Sequence, residues 1–103
     1  MLETARRYEF RAGIVTANAP RESGVYALYR GAELLLIDET DNIFACLMNL
    51  VAGSGLAVWD LPAPDAWAFE VCSPGRRRSR LMHLVFRYKP LRTRRPEFKF
   101  REL

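Results

Sequence analysis

The sequence lacks the features that would place it in a membrane, in the secretory pathway or among disordered proteins. No apolar run approaches the roughly 20 residues that cross a bilayer, and no apolar segment follows the arginines of MLETARRYEF to form a signal peptide. Half of its 103 residues are hydrophobic, without a biased tract, which argues against disorder. We therefore expect one folded domain over residues 1–103, with no membrane partner and a cytoplasmic location.

Residues that bind metals or act as nucleophiles are also scarce. Cys46 and Cys72 are the two cysteines, and they form neither a CxxC nor a His-Cys pattern, so free buried thiols are expected instead of a disulfide or a zinc site. Cys46 falls on an apolar helix face, where a thiol tends to stay protonated. His83 is the single histidine, without a ligand at a suitable spacing, and is expected to be a partly exposed helix residue. No cofactor and no metal are predicted.

Acidic residues are nearly absent from the last quarter of the chain. Residues 76–103 contain eleven Lys or Arg and two acids, which gives a net charge of +9. Residues 1–75 contain five bases and ten acids, which gives a net charge of −5. This asymmetry indicates a basic C-terminal segment that attracts phosphates or an acidic partner.

The first half of the sequence predicts a hairpin followed by a helix. Gly24 to Asp38 contains two apolar runs, GVYALY and ELLLI, which the turn residues RGA separate, and this pattern is typical of a β-hairpin. The apolar residues of IFACLMNLV follow helical spacing until Gly53, so a helix is predicted there. Either Thr40 or Asp41 is expected to cap it.

The second half predicts a further strand and a further helix. AWAFEV, residues 66–71, favours a strand, and Ser73-Pro74 favours a helix start that leads to an end before Pro90. YEFRAGIV near the N-terminus is compatible with a short strand, and the C-terminal PEFKFREL with either an edge strand or an extended tail. The predicted class is α+β, with a small, mainly antiparallel sheet of three to four strands flanked by helices.

Several of these motifs occur together in the order found in one nuclease family. From Tyr8 to about Thr93 the chain resembles the GIY-YIG nuclease superfamily. The motifs that carry the resemblance are the Ala19-Pro20 approach, the GVY strand, the LLLIDET strand, the helix entered through Asn42, and Tyr88-Lys89-Pro90. The resemblance implies a GIY-YIG-like fold, in which two strand tyrosines, a helix arginine and a later helix glutamate form a one-metal phosphodiesterase site.

Most of that site is replaced in this sequence. Tyr26 is the only retained family position, and Leu36, Cys46 and Met82 occupy the positions of the second tyrosine, the arginine and the glutamate. A thiol cannot supply a guanidinium to a developing phosphorane charge, and Mg²⁺ requires oxygen ligands that Met82 lacks. We therefore expect a catalytically inactive scaffold, and residual phosphodiesterase activity is the least favoured alternative.

A cluster of carboxylates near the start of the first predicted helix has two interpretations. Asp38, Glu39 and Asp41 are close in sequence and suggest a relocated metal site. Acidic residues in a first helical turn also interact favourably with the helix dipole, and this second interpretation is the preferred one.

The basic segment is the strongest functional signal. Arginine dominates it, and the planar guanidinium suits phosphate oxygens and can stack on bases. Arginines at a helix start oppose the helix dipole, which suggests a role other than stability. The predicted contact residues for DNA or RNA are Arg76, Arg77, Arg78, Arg80, Arg87, Lys89, Arg92, Arg94 and Arg95.

A protein partner is the alternative to nucleic acid. The basic segment would also attract an acidic partner. Trp59, Trp67 or Phe100 would supply the hydrophobic contacts that dominate many protein interfaces.

Overall fold

A computed structural model describes residue 2, residues 5–53 and residues 62–90. The described residues form four strands, β1 (Tyr8–Glu9), β2 (Gly24–Arg30), β3 (Glu33–Thr40) and β4 (Ala66–Val71). They also form three helices, α1 (Ala12–Asn18), α2 (Ile43–Val51) and α3 (Pro74–Tyr88). The strands make one antiparallel sheet in the order β1-β4-β2-β3. The predicted α+β class is confirmed.

Strand β2 lies inside the sheet and is buried on both faces. Every residue of β2 from Gly24 to Tyr29 is buried, as expected of a continuous apolar run with neighbours on both sides. One face of the sheet packs against α3, in a cluster that we call the α3 core: Leu2, Val25, Ala27, Tyr29, Ile37, Ala68, Leu81 and Leu84. The other face packs against α1 and α2, in a cluster that we call the α1–α2 core: Val15, Tyr26, Leu28, Leu35, Leu36, Ile43, Leu47, Leu50 and Trp67.

A β-bulge explains how three consecutive leucines are accommodated in β3. Leu28 is opposite Leu36 and Tyr29 is opposite Leu34, so Leu35 is the additional residue in the pairing. Leu35 and Leu36 both pack in the α1–α2 core. Leu34 packs against the α3 core. The bulge therefore keeps the apolar side chains on both sides of it buried.

The start of α2 differs from the prediction by one or two residues. The N-cap is Asn42, whose side-chain oxygen accepts a hydrogen bond from the Ala45 N–H at 3.0 Å. Thr40 supports the cap, because its hydroxyl accepts from the Asn42 N–H at 3.1 Å. Asp41 is exposed just before the cap. Asn is among the preferred capping residues, and Thr40 is the last residue of β3.

The predicted bounds of α3 are confirmed. Pro74 is the first helical residue, after Ser73 at the N-cap position. The helix ends at Lys89, which is left-handed with φ 48° and whose N–H bonds to the Val85 carbonyl. Pro90 follows at once, and the geometry ahead of a proline disfavours further helix.

The N-terminal prediction was mostly wrong. Only Tyr8 and Glu9 form a strand, which pairs with Trp67 and Ala66 at the start of β4. The remainder of YEFRAGIV enters α1, whose Val15 is completely buried in the α1–α2 core. Tertiary burial thus overrides a weak local pattern.

Two observations complete the description of the chain. No helix among the described residues is long and apolar enough to cross a membrane. The predicted edge strand or tail in PEFKFREL lies outside the described residues, and so do Trp59 and Thr93.

Candidate nucleic-acid interface

Helix α3 distributes its basic residues over different directions around its axis. Successive residues of an α-helix are rotated by about 100°, so the run from Arg76 to Arg80 cannot form one patch. Arg76 and Arg78 are exposed, whereas Arg77 and Arg80 are half-buried against the sheet.

Arg77 forms an ion pair with the end of β3. Its Nε lies 3.0 Å from Oε1 of Glu39, and its Nη1 donates to the Ser23 hydroxyl at 3.1 Å. The Glu39 side chain is only 7% exposed, so it is well shielded from water. The preferred interpretation of Asp38 and Glu39 as residues of a first helical turn was wrong, because both belong to β3.

Arg80 forms a two-point ion pair with Glu70 of β4. Arg80 Nε lies 2.8 Å from Oε2 and Arg80 Nη2 lies 3.0 Å from Oε1, the bidentate geometry that favours arginine over lysine. Burial alone would raise the pKa of Glu70. The hydrogen bonds from Arg80 and from the Leu2 N–H, together with nearby positive charge, outweigh burial and hold the pKa of Glu70 below its ordinary value.

These two pairs give a structural reason for arginines near the start of α3. A cation in the first turns of a helix opposes the helix dipole, but Glu39 and Glu70 neutralise Arg77 and Arg80. Both arginines are among the predicted contacts for nucleic acid, and in the structure each forms an ion pair that joins α3 to the sheet. No local pattern indicated the pairs, because Glu39 lies 38 residues from its partner.

The exposed basic residues occupy two flanks of α3. Arg76 and Arg87 lie on one flank, since eleven residues complete three turns, and about 16 Å separates them along the axis. Arg78 and Lys89 are exposed at the other side. Phe86, which is 60% exposed, lies between the flanks on the solvent face. Arg92, Arg94 and Arg95 lie outside the described residues.

The C-terminal end of α3 orients one of these cations. Arg87 Nε donates to the Tyr88 hydroxyl at 3.0 Å, and its guanidinium carbon lies 5.4 Å from the centre of the Tyr88 ring. Arg87 also lies in the last turn, where a positive charge interacts favourably with the helix dipole.

The four positions matched to the family site do not meet at one place. Tyr26 and Leu36 are buried in the α1–α2 core, and Cys46 packs against that core from α2. Met82 packs against the α3 core on the opposite face of the sheet. Leu36 and Met82 therefore pack on opposite faces of the sheet.

The comparisons with known proteins give no family. No family model, no curated protein and no solved structure matches the chain. The likeness to GIY-YIG nucleases consequently stays a prediction from the sequence motifs.

The remaining residues considered for chemistry have structural positions. Within the described ranges, no group of three or more His, Cys, Asp or Glu residues is placed to hold a metal ion. Cys46 and Cys72 are not joined in a disulfide, and both are partly exposed instead of buried as expected. Burial raises the pKa of Cys72. His83 is exposed on α3. Trp67 is fully buried, and its Nε1 donates to the Glu9 carbonyl, so it is not available as a contact for a protein partner.

Proposed function

We propose that this protein binds nucleic acid without sequence preference, through the two basic flanks of α3, on a GIY-YIG-like scaffold that has lost its catalytic residues. One observation carries the proposal. Four basic side chains, Arg76, Arg78, Arg87 and Lys89, are exposed on α3 and its cap, and the sequence from residue 71 to residue 96 contains no acid.

The physical basis of binding is the neutralisation of phosphates. The flank distance of about 16 Å corresponds to about five phosphates along one strand of B-form DNA. Each phosphate neutralised releases counterions, so four contacts give a slope of log K against log salt of about −3.6 on duplex DNA. Without base readout, Kd values on the order of 10⁻⁴ to 10⁻⁶ M are expected at physiological salt.

The test is a titration of labelled single- and double-stranded DNA and RNA, followed by fluorescence anisotropy at two salt concentrations. The variant is Arg76→Glu/Arg78→Glu, which leaves the ion pairs of Arg77 and Arg80 intact. The control is Arg11→Glu/Arg21→Glu, which changes the net charge equally at exposed positions away from α3.

Four outcomes decide the proposal. It is supported if the α3 variant loses binding and the control retains most of it. Equal losses of binding in both variants would show that only the net charge matters and would contradict an interface on α3. Absence of binding by the wild type at low salt would refute the proposal. Mg²⁺-dependent cleavage that disappears in Tyr26→Phe would contradict the inactive scaffold.

Phe86 favours a second candidate function. An aromatic side chain 60% exposed between two basic flanks resembles the anchors of protein interfaces. A module that binds an acidic protein with a hydrophobic contact would lose its partner in Phe86→Ser at moderate salt. A nucleic-acid interface that relies on phosphates would retain most of its affinity in that variant.

A further inference from the structure

A cavity of about 240 Å³ lies between the hairpin and the C-terminal end of α3. It is on the face of the sheet that α3 covers, and it is separate from the exposed flanks of α3 described above. Its walls include Leu2, Arg7, Tyr29, Leu34, Ile37 and Tyr88. The mixture of one guanidinium, two phenols and aliphatic side chains is unlike a gap in an apolar core.

The polar part of the cavity is built around Arg7. The guanidinium carbon lies 3.8 Å from the centre of the Tyr29 ring, close enough for a cation–π interaction. One of its nitrogens donates to the Gly31 carbonyl at 3.4 Å, which fixes its orientation relative to the hairpin turn. A guanidinium has five N–H donors in one plane, so donors beyond this contact can address a ligand.

The two phenols add hydroxyl groups to the walls of the cavity. Burial raises the pKa of Tyr29, although Arg7 opposes that rise, so the phenol is protonated at neutral pH. Tyr88 is 40% exposed and thus forms part of the wall that solvent reaches. Its hydroxyl accepts a hydrogen bond from Arg87.

The apolar part of the cavity is preorganised. Leu2 and Ile37 are 5% and 1% exposed, and both belong to the α3 core. Such walls favour an apolar body that water solvates poorly. A volume of about 240 Å³ is below the roughly 300–1,000 Å³ of clefts for drug-sized molecules, so the ligand must be small.

We propose that this cavity is a binding site for a small organic anion, with its carboxylate or phosphate on Arg7 and its apolar, planar body against Leu34 and Ile37. A carboxylate or a phosphate can accept two parallel hydrogen bonds from the planar fork of the guanidinium. The proposal does not depend on nucleic-acid binding, because it uses none of the exposed basic residues of α3 assigned to that function.

The test is a methyl NMR titration of the full chain. The probes are benzoate, phenyl phosphate, inorganic phosphate and the uncharged benzyl alcohol. We expect saturable shifts of the Leu34 and Ile37 methyl signals with benzoate or phenyl phosphate, and weaker binding of the other two. The tighter of the first two probes identifies the carboxylate or the phosphate as the preferred group.

Two variants with a matched control test the geometry. Arg7→Gln should weaken binding of the preferred anion about tenfold or more, because a charge-assisted contact is lost. Arg6→Gln is the control, because Arg6 is next to Arg7 in the sequence but its guanidinium carbon lies 5.1 Å from the centre of the Tyr8 ring. Ala32→Trp, at an exposed turn position that lines the cavity, should block it without removing a core side chain.

The overturning results are equally specific. The site is refuted if the anions leave the Leu34 and Ile37 signals unchanged, if benzyl alcohol binds as tightly as benzoate, or if Arg7→Gln behaves like Arg6→Gln. Should Arg7→Gln fail to fold, unaltered anion binding by Ala32→Trp refutes the site instead. Failure of nucleic-acid binding alone leaves this inference intact.

Discussion

Replacing Arg80 by methionine should separate its structural role from any role in binding. The substitution keeps much of the aliphatic length but removes two hydrogen bonds, of 2.8 and 3.0 Å, to Glu70. The Arg80 and Glu70 side chains are 18% and 15% exposed, so the ion pair is neither fully exposed nor fully buried. A surface ion pair contributes about 0–1 kcal/mol, whereas disruption of a buried pair costs about 3–5 kcal/mol. We therefore expect the free energy of unfolding at pH 7 to fall by about 2–3 kcal/mol.

Urea denaturation followed by tryptophan fluorescence measures this loss. With an m-value of about 1.5 kcal/mol/M, the midpoint should fall by about 1–2 M. Arg76→Met is the matched control, because it removes the same charge from an exposed position on the same helix, and its effect should stay within about 0.5 kcal/mol.

The pH dependence provides an independent check. The pKa of Glu70 in the folded protein lies below its ordinary value of 4.5, so the stabilisation is fully present above that value. It is lost as the pH falls through the folded pKa, where the carboxylate becomes protonated. The stability difference between the wild type and Arg80→Met should therefore shrink below about pH 4.5. Equal effects of Arg80→Met and Arg76→Met at pH 7 would refute the reasoning.

Two further predictions concern the backbone. Gly24→Ala should destabilise the protein by about 1–3 kcal/mol, because its added Cβ would meet the Glu70 carbonyl oxygen. Gly13→Ala, with open space in α1, should instead stabilise the protein by about 0.5–1 kcal/mol. Thermal denaturation of the two variants measures both effects. Asn42→Ala should lower the free energy of unfolding by about 1 kcal/mol, because it removes the cap of α2. Asn49→Ala, at an exposed position inside the same helix, should be neutral or slightly stabilising. Equal melting temperatures of the two variants would contradict the capping role.

The elements predicted from the sequence are those that local patterns specify. The hairpin has two apolar runs around a turn, and Gly31 supplies the positive φ of 58° that the turn needs. Strand β4 and helix α3 have the predicted bounds, because Ser73-Pro74 and Pro90 mark the ends of the helix. Such signals act over a few residues and are readable in a single sequence.

The features that sequence reasoning missed depend on contacts between distant residues. Helix α1 contains β-branched residues and a glycine, which are poor helix formers, and it is supported by burying Val15 beside α2. The partners of Arg77 and Arg80 lie on β3 and β4, so a run of adjacent arginines gave no sign that two of them are neutralised. The cavity beside Arg7 likewise combines an N-terminal residue with the C-terminal end of α3.

The strand order β1-β4-β2-β3 has a consequence for folding during synthesis. The hairpin of β2 and β3 can pair as soon as it is made, but β1 borders β4 in the finished sheet. The hydrogen bond from Trp67 to Glu9 joins residues 58 apart, a delay of about 3–12 s at 5–20 residues per second of translation. Until β4 has been made, β1 has no partner strand, so the N-terminal segment of the nascent chain should remain open to proteases during that time.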